Sequence, residues 1–267
     1  MKRLSIALAA FAVLVTPALA AKCGNTAAGF PTWLKEFRGE MKAKGYTNKS
    51  LKALDKLTYS TKVIKLDRGQ KSFKQSFDKF YKRRSNGVVR IAKKKMRAHG
   101  NTMLRVEKKY GVPKEIILTV WGLETGFGAF NGNKPIFQSL ATLAYDCRRS
   151  KFFTEELVAA LTIAQKGQIP LSRMKGAWAG EIGQTQFLAT RYVNYGVSFD
   201  GDRTVDLYRS VPDVLASTAN WFAKNGWRSG QPWGPGTSNY KVISKWNRAT
   251  VYQKTIAKLA EEMAKEM

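Results

Sequence analysis

Apolar side chains recur at three- and four-residue intervals through the first part of the chain, with polar and mostly basic residues between them. The residues that carry this period are Trp33, Phe37, Met41, Leu51, Leu54, Leu57, Phe73, Phe77, Phe80 and Tyr81. Because residues three and four apart share one face of an α-helix, the pattern predicts amphipathic helices across residues 33–110.

The helical period continues in the rest of the chain. One pattern covers 103–123 and restarts at Pro113, a residue suited to a first helical turn. Three more cover 152–165, 211–224 and 251–267, whereas the alternation typical of strands is scarce. The sequence therefore predicts a mainly α protein with one principal domain.

The first twenty residues have the order of a secretory signal peptide. Lys2 and Arg3 precede an apolar run over 4–15, and residues 18–20 (Ala-Leu-Ala) provide a small-residue cleavage site. The apolar run is too short to span a membrane, and the alternative is a core helix at the N-terminus. We expect export to the periplasm, with cleavage after Ala20.

Export bears on the chemical state of the two cysteines, Cys23 and Cys147. Lys22 stands before Cys23, where lipidation requires a small residue, so we do not expect a lipoprotein. In an oxidising compartment two cysteines favour a single Cys23–Cys147 disulfide. The alternative is a pair of unrelated thiols.

The chain of 267 residues is strongly basic, with 46 Lys and Arg against 19 Asp and Glu and a formal net charge of +27. Residues 35–109 alone hold 24 basic and six acidic residues. Such an excess favours an anionic partner. Export makes the cell wall, or a peripheral contact with an anionic membrane surface, a better candidate than nucleic acid. The alternative is a set of basic helix faces that contact only water.

One acidic residue has an apolar setting, and few other side chains suit metal or nucleophilic chemistry. One His and two Cys are too few for a zinc site or a His-based triad, so we expect no metal and no cofactor.

Glu124 follows Ile117 and Val120 at helical spacing, with no Lys or Arg three or four residues away. A carboxyl on an apolar face has a raised pKa and can donate a proton near neutral pH. The alternative is a Glu at a frayed helix end, turned to water.

Two further segments suit a polymer rich in hydroxyl groups. Residues 174–187 combine three glycines with Gln184 and Gln186, whose amides both donate and accept hydrogen bonds. Residues 246–252 carry a Trp, an Asn and a Tyr that suit stacking on sugar rings. Each segment also has an ordinary structural interpretation, a glycine-rich helix start in the first case and an aromatic edge of the core in the second.

Six motifs, in order and in register, carry a resemblance to a known family. They are 110–117 (YGVPKEII), 122–128 (GLETGFG), 141–144 (ATLA), 179–187 (AGEIGQTQF), 199–202 (FDGD) and 220–227 (NWFAKNGW). Together they resemble the lytic murein transglycosylases of the membrane-bound B type. The resemblance implies a mainly α, lysozyme-like catalytic fold with little β structure. On this basis, 1–20 is the signal peptide, 21–110 the basic helical N-terminal part of the catalytic unit, and 111–267 the lysozyme-like core with a C-terminal helix.

The resemblance also implies an activity and a set of site residues. Members of the family cleave peptidoglycan strands between N-acetylmuramic acid (MurNAc) and N-acetylglucosamine (GlcNAc), and they release a 1,6-anhydroMurNAc product. Carried over residue by residue, the catalytic acid is Glu124. The pair Arg148 and Arg149 suits the carboxylates of the wall. Trp221 and Trp246 stand where the family can place Tyr, and they keep a stacking face. The implied substrate-binding residues are Gln186, Asn247, Tyr252, Arg148, Arg149, Trp221, Trp246 and Tyr81. The expected partner is the glycan strand, and the expected state is a monomer.

The sequence departs from the family pattern at a few positions. Ala177 stands where well-known relatives have Ser, and Ala189 where Pro is usual, which affects the fine contacts to substrate. In some relatives the stretch 198–209 overlaps an EF-hand-like calcium loop. Here Arg203 and Arg209 occupy the sixth and twelfth positions, where such a loop needs Gly and a bidentate Glu. Two arginines oppose a cation, so we expect a metal-free turn.

The implied mechanism uses one carboxyl twice. Protonated Glu124 donates to the glycosidic oxygen, and the same residue then accepts the proton of the muramic C6 hydroxyl as that hydroxyl attacks the anomeric carbon. The nucleophile belongs to the substrate, so no second enzyme carboxylate is needed, and we interpret Glu181 as a structural or rim residue. Two alternatives stay open: a hydrolase on the same scaffold and a non-catalytic, cationic wall-binding protein.

Overall fold

A computed structural model describes residues 22–70 and 75–267, so the expected signal peptide at 1–20 lies outside the described residues. Helices account for most of the described chain, and the regular β structure there is one antiparallel pair of two-residue strands. The helices are α1 (Phe30–Ala43), α2 (Asn48–Leu51), α3 (Thr61–Arg68), α4 (Phe77–Ser85), α5 (Val88–Tyr110), α6 (Lys114–Thr125), α7 (Ile136–Tyr145), α8 (Ser150–Gln165), α9 (Ala189–Tyr195), α10 (Val211–Lys224), α11 (Ser238–Trp246) and α12 (Thr250–Glu266). The strands are β1 (Lys134–Pro135) and β2 (Lys175–Gly176).

The prediction of a mainly α fold is confirmed. The patterns over 152–165, 211–224 and 251–267 correspond to α8, α10 and α12. The pattern that restarts at Pro113 is two helices, because α5 ends at a left-handed Gly111 (φ 67°) and Pro113 is the residue that caps the start of α6. Nowhere in residues 22–70 and 75–267 is a helix both long and apolar enough to cross a bilayer.

Helix α6 lies at the centre of the fold and positions the candidate acid. It packs against α5, α10 and α12, and every residue from 115 to 123 is buried. A helix that is apolar on nearly all sides is stable only inside a core. It ends at Gly126 (φ 61°), whose N–H donates to the carbonyl of Gly122 at 3.0 Å. Glu124 lies in the last turn of α6, so the end of this helix fixes the point at which its side chain projects from the core.

The N-terminal helices share one hydrophobic core with the rest of the chain. The cluster of buried side chains runs from Phe30 in α1 to Met263 in α12. The hydroxyl groups of Tyr46 and Thr162 are hydrogen-bonded at 2.7 Å, and the N–H of Thr47 donates to Gln165 at 2.8 Å. The two parts expected on either side of residue 110 thus form one packed unit.

The expected disulfide is present. Cys23 and Cys147 are bonded, with their Cα atoms 5.0 Å apart. Next to the bridge, the N–H of Gly24 donates to the carbonyl of Tyr145 at 2.9 Å, and the Tyr145 ring meets Phe30 edge to face at 5.5 Å. The disulfide thus fixes the N-terminal segment against the end of α7.

Replacing Cys23 and Cys147 together by serine should lower the free energy of unfolding by about 2–5 kcal/mol. The bridge closes a loop with a sequence separation of 124, so its loss frees many conformations of the unfolded chain. Denaturant unfolding under non-reducing conditions measures the difference. Reductant should weaken the parent by a similar amount and leave the serine variant unchanged; a parent that reductant does not affect would contradict the prediction.

Candidate active site

Two hydrogen-bond donors hold one oxygen of the Glu124 carboxyl. The indole N–H of Trp246 donates to Oε1 at 3.0 Å, and the hydroxyl of Tyr252 donates to the same atom at 2.8 Å. Trp246 is the last residue of α11 and Tyr252 lies in the first turn of α12, so the short loop between these helices brings both donors to the end of α6. No donor within the described residues bonds Oε2. Oε2 is therefore the oxygen that is free to carry a proton.

The carboxyl lies where two cavities meet. One, of about 190 Å³, is lined by Glu124, Asn247, Tyr252 and residues of α4. The other, of about 400 Å³, is lined by the end of α6, the loop that follows it and the start of α5. Both cavities include Arg83, Arg84 and Glu124. A cleft with an acid at its middle suits a substrate that extends to both sides of the reacting bond.

Burial is the main influence on the acidity of this site. It raises the pKa of Glu124 above its ordinary value, and the hydrogen bonds from Trp246 and Tyr252 and the charges of Arg84 and Arg191 only partly offset it. Burial and the adjacent Glu124 carboxyl also raise the pKa of Tyr252 well above its ordinary value. The Tyr252 hydroxyl thus keeps its proton and stays a donor, while Glu124 is suited to general acid catalysis.

The loop that carries Gln186 is fastened to the end of α6. The hydroxyl of Thr125 donates to the carbonyl of Gln184, and the indole N–H of Trp121 donates to the side chain of Gln184 at 2.8 Å. Gly183 has a positive φ of 70°, and a Cβ there would lie 2.4 Å from the carbonyl oxygen of Leu207, so the tight turn requires glycine. Gln186 itself has a φ of 50°, a strained conformation for a non-glycine residue.

Gln186 and Asn247 each have part of their amide engaged by the protein. The Nε2 group of Gln186 donates to the carbonyls of Gly183 at 2.8 Å and Asn131 at 3.4 Å. The Oδ1 atom of Asn247 accepts from the N–H of Ala249 at 2.9 Å, and Asn247 lines the smaller cavity beside Glu124. Among the described residues nothing bonds Gln186 Oε1 or Asn247 Nδ2, which leaves one acceptor and one donor for a ligand. Unlike Asn247, Gln186 lines neither of the two cavities that contain Glu124.

Tyr81 is not brought to the carboxyl. Its hydroxyl donates to Glu262 on α12, and its ring lies 5.6 Å from the ring of Phe77. It lines neither of the two cavities that contain Glu124. The structure thus places the Tyr81 side chain of α4 against the C-terminal helix, which differs from the expected cleft position.

Trp221 and Trp246 differ from the expectation that they offer stacking faces to sugar rings. Their exposed fractions are 4% and 5%, because α10 and α11 pack both indoles into the core. Trp246 stacks on Phe222 at 5.3 Å and meets Trp221 edge to face at 4.9 Å. Trp246 acts on the site through its N–H group, which holds Glu124, and Trp221 supports Trp246.

Arg148 and Arg149 are engaged by a buried carboxylate that the sequence reasoning missed. Asp67, in α3, accepts from Arg148 Nε at 2.9 Å and is also paired with Arg149. Burial opposes the charge of Asp67, but the bonds and charges of the two arginines outweigh it and hold the pKa of Asp67 below its ordinary value. Arg68 links the cluster to Asp146 at 2.8 Å. The arginine pair also lines a separate cavity of about 460 Å³.

Glu181 has the surroundings of a structural residue. Its Oε2 atom accepts from the N–H of Ala179 at 3.0 Å, across a tight turn. Burial raises the pKa of Glu181, and the charge of Glu124 raises it further. Side chains of the described residues make no hydrogen bond to it, and it lines neither of the cavities at Glu124.

The carboxylates of the stretch 198–209 accept hydrogen bonds from nearby groups of the protein. Asp202 accepts from the N–H of Thr204 at 2.7 Å, Asp206 accepts from the N–H of Tyr208 at 2.9 Å, and Asp200 accepts from a serine hydroxyl. Within residues 22–70 and 75–267, no three His, Cys, Asp or Glu side chains are grouped so that they could hold a metal ion.

Comparison with known proteins agrees with this fold. The family described as Transglycosylase SLT domain matches residues 29–238. The membrane-bound lytic murein transglycosylase B of Escherichia coli (strain K12) is 39% identical over 127 residues, which cover 47% of this chain. The match spans 35% of that curated relative's length.

Two solved structures have closely similar folds. SltB3 from Pseudomonas aeruginosa, in complex with NAG-anhNAM-pentapeptide, has a TM-score of 0.81 and 29% identity, and the match covers 88% of this chain and 79% of that one. The Escherichia coli lytic transglycosylase Slt35, in complex with bulgecin A, has a TM-score of 0.80 and 23% identity, with 92% and 97% covered. The second likeness concerns the fold alone.

Proposed function

This chain belongs to the Transglycosylase SLT domain family, and we propose that it is a lytic transglycosylase that cleaves the β-1,4 bond between MurNAc and GlcNAc in peptidoglycan without water. One observation carries the proposal. Glu124 has Oε1 held by two donors and Oε2 unbonded within the described residues, at the junction of two cavities. That geometry suits an acid that protonates a bond whose two sugars lie on either side of it.

The first step is proton donation. Glu124 starts protonated, which its raised pKa favours near neutral pH. Oε2 gives the proton to the glycosidic oxygen as the bond to the muramic anomeric carbon breaks and the GlcNAc side departs. Oε1 gains negative charge in this step, and the Trp246 N–H and Tyr252 O–H donors stabilise that charge.

The second step returns the proton to the same carboxyl. The carboxylate of Glu124 accepts the proton of the muramic C6 hydroxyl, and that oxygen bonds to the anomeric carbon to close the anhydro ring. Glutamic acid is regenerated and no water is consumed. A retaining hydrolase would need a second carboxylate as nucleophile. Glu181, a carboxyl whose pKa the charge of Glu124 raises, accepts a backbone hydrogen bond and lines neither cavity, which supports the single-carboxyl route.

Amide and guanidinium groups provide the proposed substrate contacts. Gln186 Oε1 and Asn247 Nδ2 suit the hydroxyl and acetamido groups of the sugars next to the scissile bond. In the arginine cluster, three guanidinium groups form ion pairs with two carboxylates of the described residues, those of Asp67 and Asp146. The excess positive charge suits a carboxylate of the wall's stem peptides.

A basic face on α5 supports contact with an anionic polymer in the periplasm. The helix is kinked at His99, where the backbone leaves helical φ and ψ. Exposed basic side chains lie before the kink, at Arg90, Lys94 and Arg97, and after it, at Arg105 and Lys108. Within each segment they are three or four residues apart, which places them on one side of that segment. We propose that this basic face holds the exported enzyme on the wall, with the anionic membrane surface as a second contact.

Neutralising Lys94, Arg97 and Lys108 together by glutamine should weaken binding to purified wall sacculi and flatten its dependence on salt. Salt screens exposed charges, so binding through this face weakens as ionic strength rises. Sedimentation with sacculi across ionic strength measures both effects.

The matched control neutralises three exposed basic residues outside α5, Lys224, Arg228 and Lys241, and should keep most of the salt dependence. Equal loss of binding in both triple variants would show that total charge, rather than the α5 face, attracts the wall. Binding that is flat with salt in the parent would show that the face only contacts water.

Muropeptide analysis tests the proposed reaction itself. Purified sacculi digested with this protein should yield muropeptides that end in 1,6-anhydroMurNAc, each lighter by one water than the hydrolytic product. Products with reducing ends alone would assign the protein as a hydrolase.

A further inference from the structure

Arg191 packs over two buried indoles next to the active carboxyl. The central carbon of its guanidinium is 4.9 Å from the ring centre of Trp221 and 4.9 Å from that of Trp246. The two indoles themselves meet edge to face, with their rings at 85° to each other. Within the described residues no carboxylate comes near enough to Arg191 to form an ion pair. Aromatic faces, rather than an acid, therefore hold this cation.

Hydrogen bonds fix both the guanidinium group of Arg191 and the residue that precedes it. Its Nη2 group donates to the carbonyl oxygen of Trp246 at 3.1 Å, at the C-terminus of α11, where a cation is favoured. The preceding Thr190 is fixed by the buried Glu156, which accepts from its N–H at 2.9 Å and its hydroxyl at 2.7 Å. Arg191 thus joins the start of α9 to both the ring and the backbone of Trp246.

We propose that Arg191 is a positioning residue for this reaction, which holds Trp246 so that its indole N–H points at Oε1 of Glu124. This inference rests on the proposed function. A planar guanidinium covers an aromatic face and donates in its own plane at the same time, which a lysine ammonium does not do. The contact therefore fixes both the tilt of the indole and the position of its backbone.

The charge of Arg191 also reaches the carboxyl. The titratable groups around Glu124 are Arg83 and Arg84 from α4, Arg191 from α9 and Tyr252 from α12, with Glu181 on the neighbouring turn. Arg84 and Arg191 lower the pKa of Glu124, against the larger effect of burial. Removing Arg191 should therefore raise the pKa of Glu124 further. Since the acid must start protonated, the alkaline limb of the pH–activity profile should move to higher pH.

The test compares Arg191→Met with Trp246→Phe and the double variant, on soluble glycan strands. We expect Arg191→Met to lower kcat about tenfold, as for a misaligned hydrogen bond to a charged group, with little change in KM. The alkaline limb should move to higher pH. In the Trp246→Phe background, the further loss of kcat from Arg191→Met should be much smaller, because the N–H group that Arg191 positions is absent.

Two controls separate positioning from a structural role. Arg228→Met removes an exposed arginine outside the site and should leave kcat and the pH profile unchanged. Arg191→Lys keeps the charge, so its alkaline limb should stay close to the parent's while kcat falls. Two results together would overturn the proposal. The kcat losses of the two single variants would multiply in the double variant, and the alkaline limb of the pH–activity profile of Arg191→Met would coincide with that of the parent.

A fluorescence titration provides a readout that does not need turnover. The Trp246 contribution is the difference between each protein and its Trp246→Phe counterpart, and its midpoint follows the ionisation of Glu124. We expect that midpoint at higher pH in Arg191→Met than in the parent; equal midpoints would contradict the inference. A moved midpoint in a protein that releases no anhydro product would refute the proposed function and leave the role of Arg191 standing.

Discussion

Replacing Glu124 by glutamine should abolish turnover of purified wall while leaving the fold and wall binding intact. Glutamine keeps the shape of the side chain and still accepts from Trp246 and Tyr252 through its oxygen. It cannot donate a proton as an acid or accept one as a base, and in the proposed mechanism Glu124 performs both tasks in succession. General acid–base catalysis contributes about 10²–10⁴-fold per proton transfer, so a loss of at least that size is expected.

The same variant should be at least as stable as the parent. Burial raises the pKa of Glu124 in the folded state, so any stability contributed by the neutral acid is fully present below the unfolded-state pKa and is lost as pH rises through the raised value. Glutamine does not ionise and avoids that loss. Thermal melting at neutral and alkaline pH should therefore show an equal or higher Tm for Glu124→Gln.

Glu181→Gln is the matched control for Glu124→Gln. Glu181 is also a carboxyl whose pKa burial raises, but a backbone N–H bonds it and it lines neither cavity at Glu124. Its replacement should leave turnover close to the parent's. If Glu124→Gln melts like the parent and still releases anhydro-muropeptides at a near-parental rate, Glu124 is not the acid.

Replacing Tyr252 by phenylalanine should lower kcat by about 10–100-fold. The ring and its edge-to-face contact with Phe80 at 6.2 Å are kept, while the donor 2.8 Å from Glu124 Oε1 is lost. The remaining Trp246 donor stabilises the developing carboxylate less well. Because the Tyr252 bond lowers the pKa of Glu124, its removal should also move the alkaline limb of activity to higher pH.

Tyr240→Phe is the control for that loss of a hydroxyl. Tyr240 lies on α11, burial raises its pKa, and its hydroxyl makes no hydrogen bond within the described residues. Steady-state kinetics across pH on soluble glycan strands compares the two variants. Equal kcat values and coincident pH profiles for parent, Tyr240→Phe and Tyr252→Phe would show that the Tyr252 bond has no part in the reaction.

An exposed face made some of the helices predictable from the sequence. Helices α8 and α12 each have one buried and one exposed face, so their apolar residues keep a helical period. Helix α7 escaped prediction, and its buried face includes the polar residues Ser139 and Thr142, so the division into apolar and polar residues does not follow burial there. The seven-residue α9 was missed too, because about two turns hold too few residues to show a period. The nine-residue α11 was also missed.

The site was predictable only in part, for a related reason. Glu124 is marked by its local apolar context on α6, which a sequence pattern can detect. Its two donors lie 122 and 128 residues away along the chain, and no local pattern encodes such contacts. The resemblance to a family pointed to Tyr252 and Trp246, but not to the way in which Trp246 acts, because stacking and N–H donation use the same residue type.

The arginines show the same limit. Arg148 and Arg149 could be singled out as a cationic pair, but their partner Asp67 is about 80 residues earlier, on α3. Arg191 was not predicted from the sequence, because no local sequence pattern marks a cation that packs over two aromatic rings. Long-range pairing, rather than residue type, decides what each of these side chains does.

Digestion of purified sacculi in water enriched in heavy oxygen tests the central claim most directly. If the muramic C6 hydroxyl is the nucleophile, the 1,6-anhydroMurNAc ends carry no heavy oxygen, whatever the extent of digestion. A muramidase digestion run in parallel provides the control, since hydrolysis places one solvent oxygen at each new reducing end. Heavy oxygen at the new MurNAc ends, one atom for each bond that this protein cleaves, would contradict the account, because water would then have replaced the substrate's own hydroxyl.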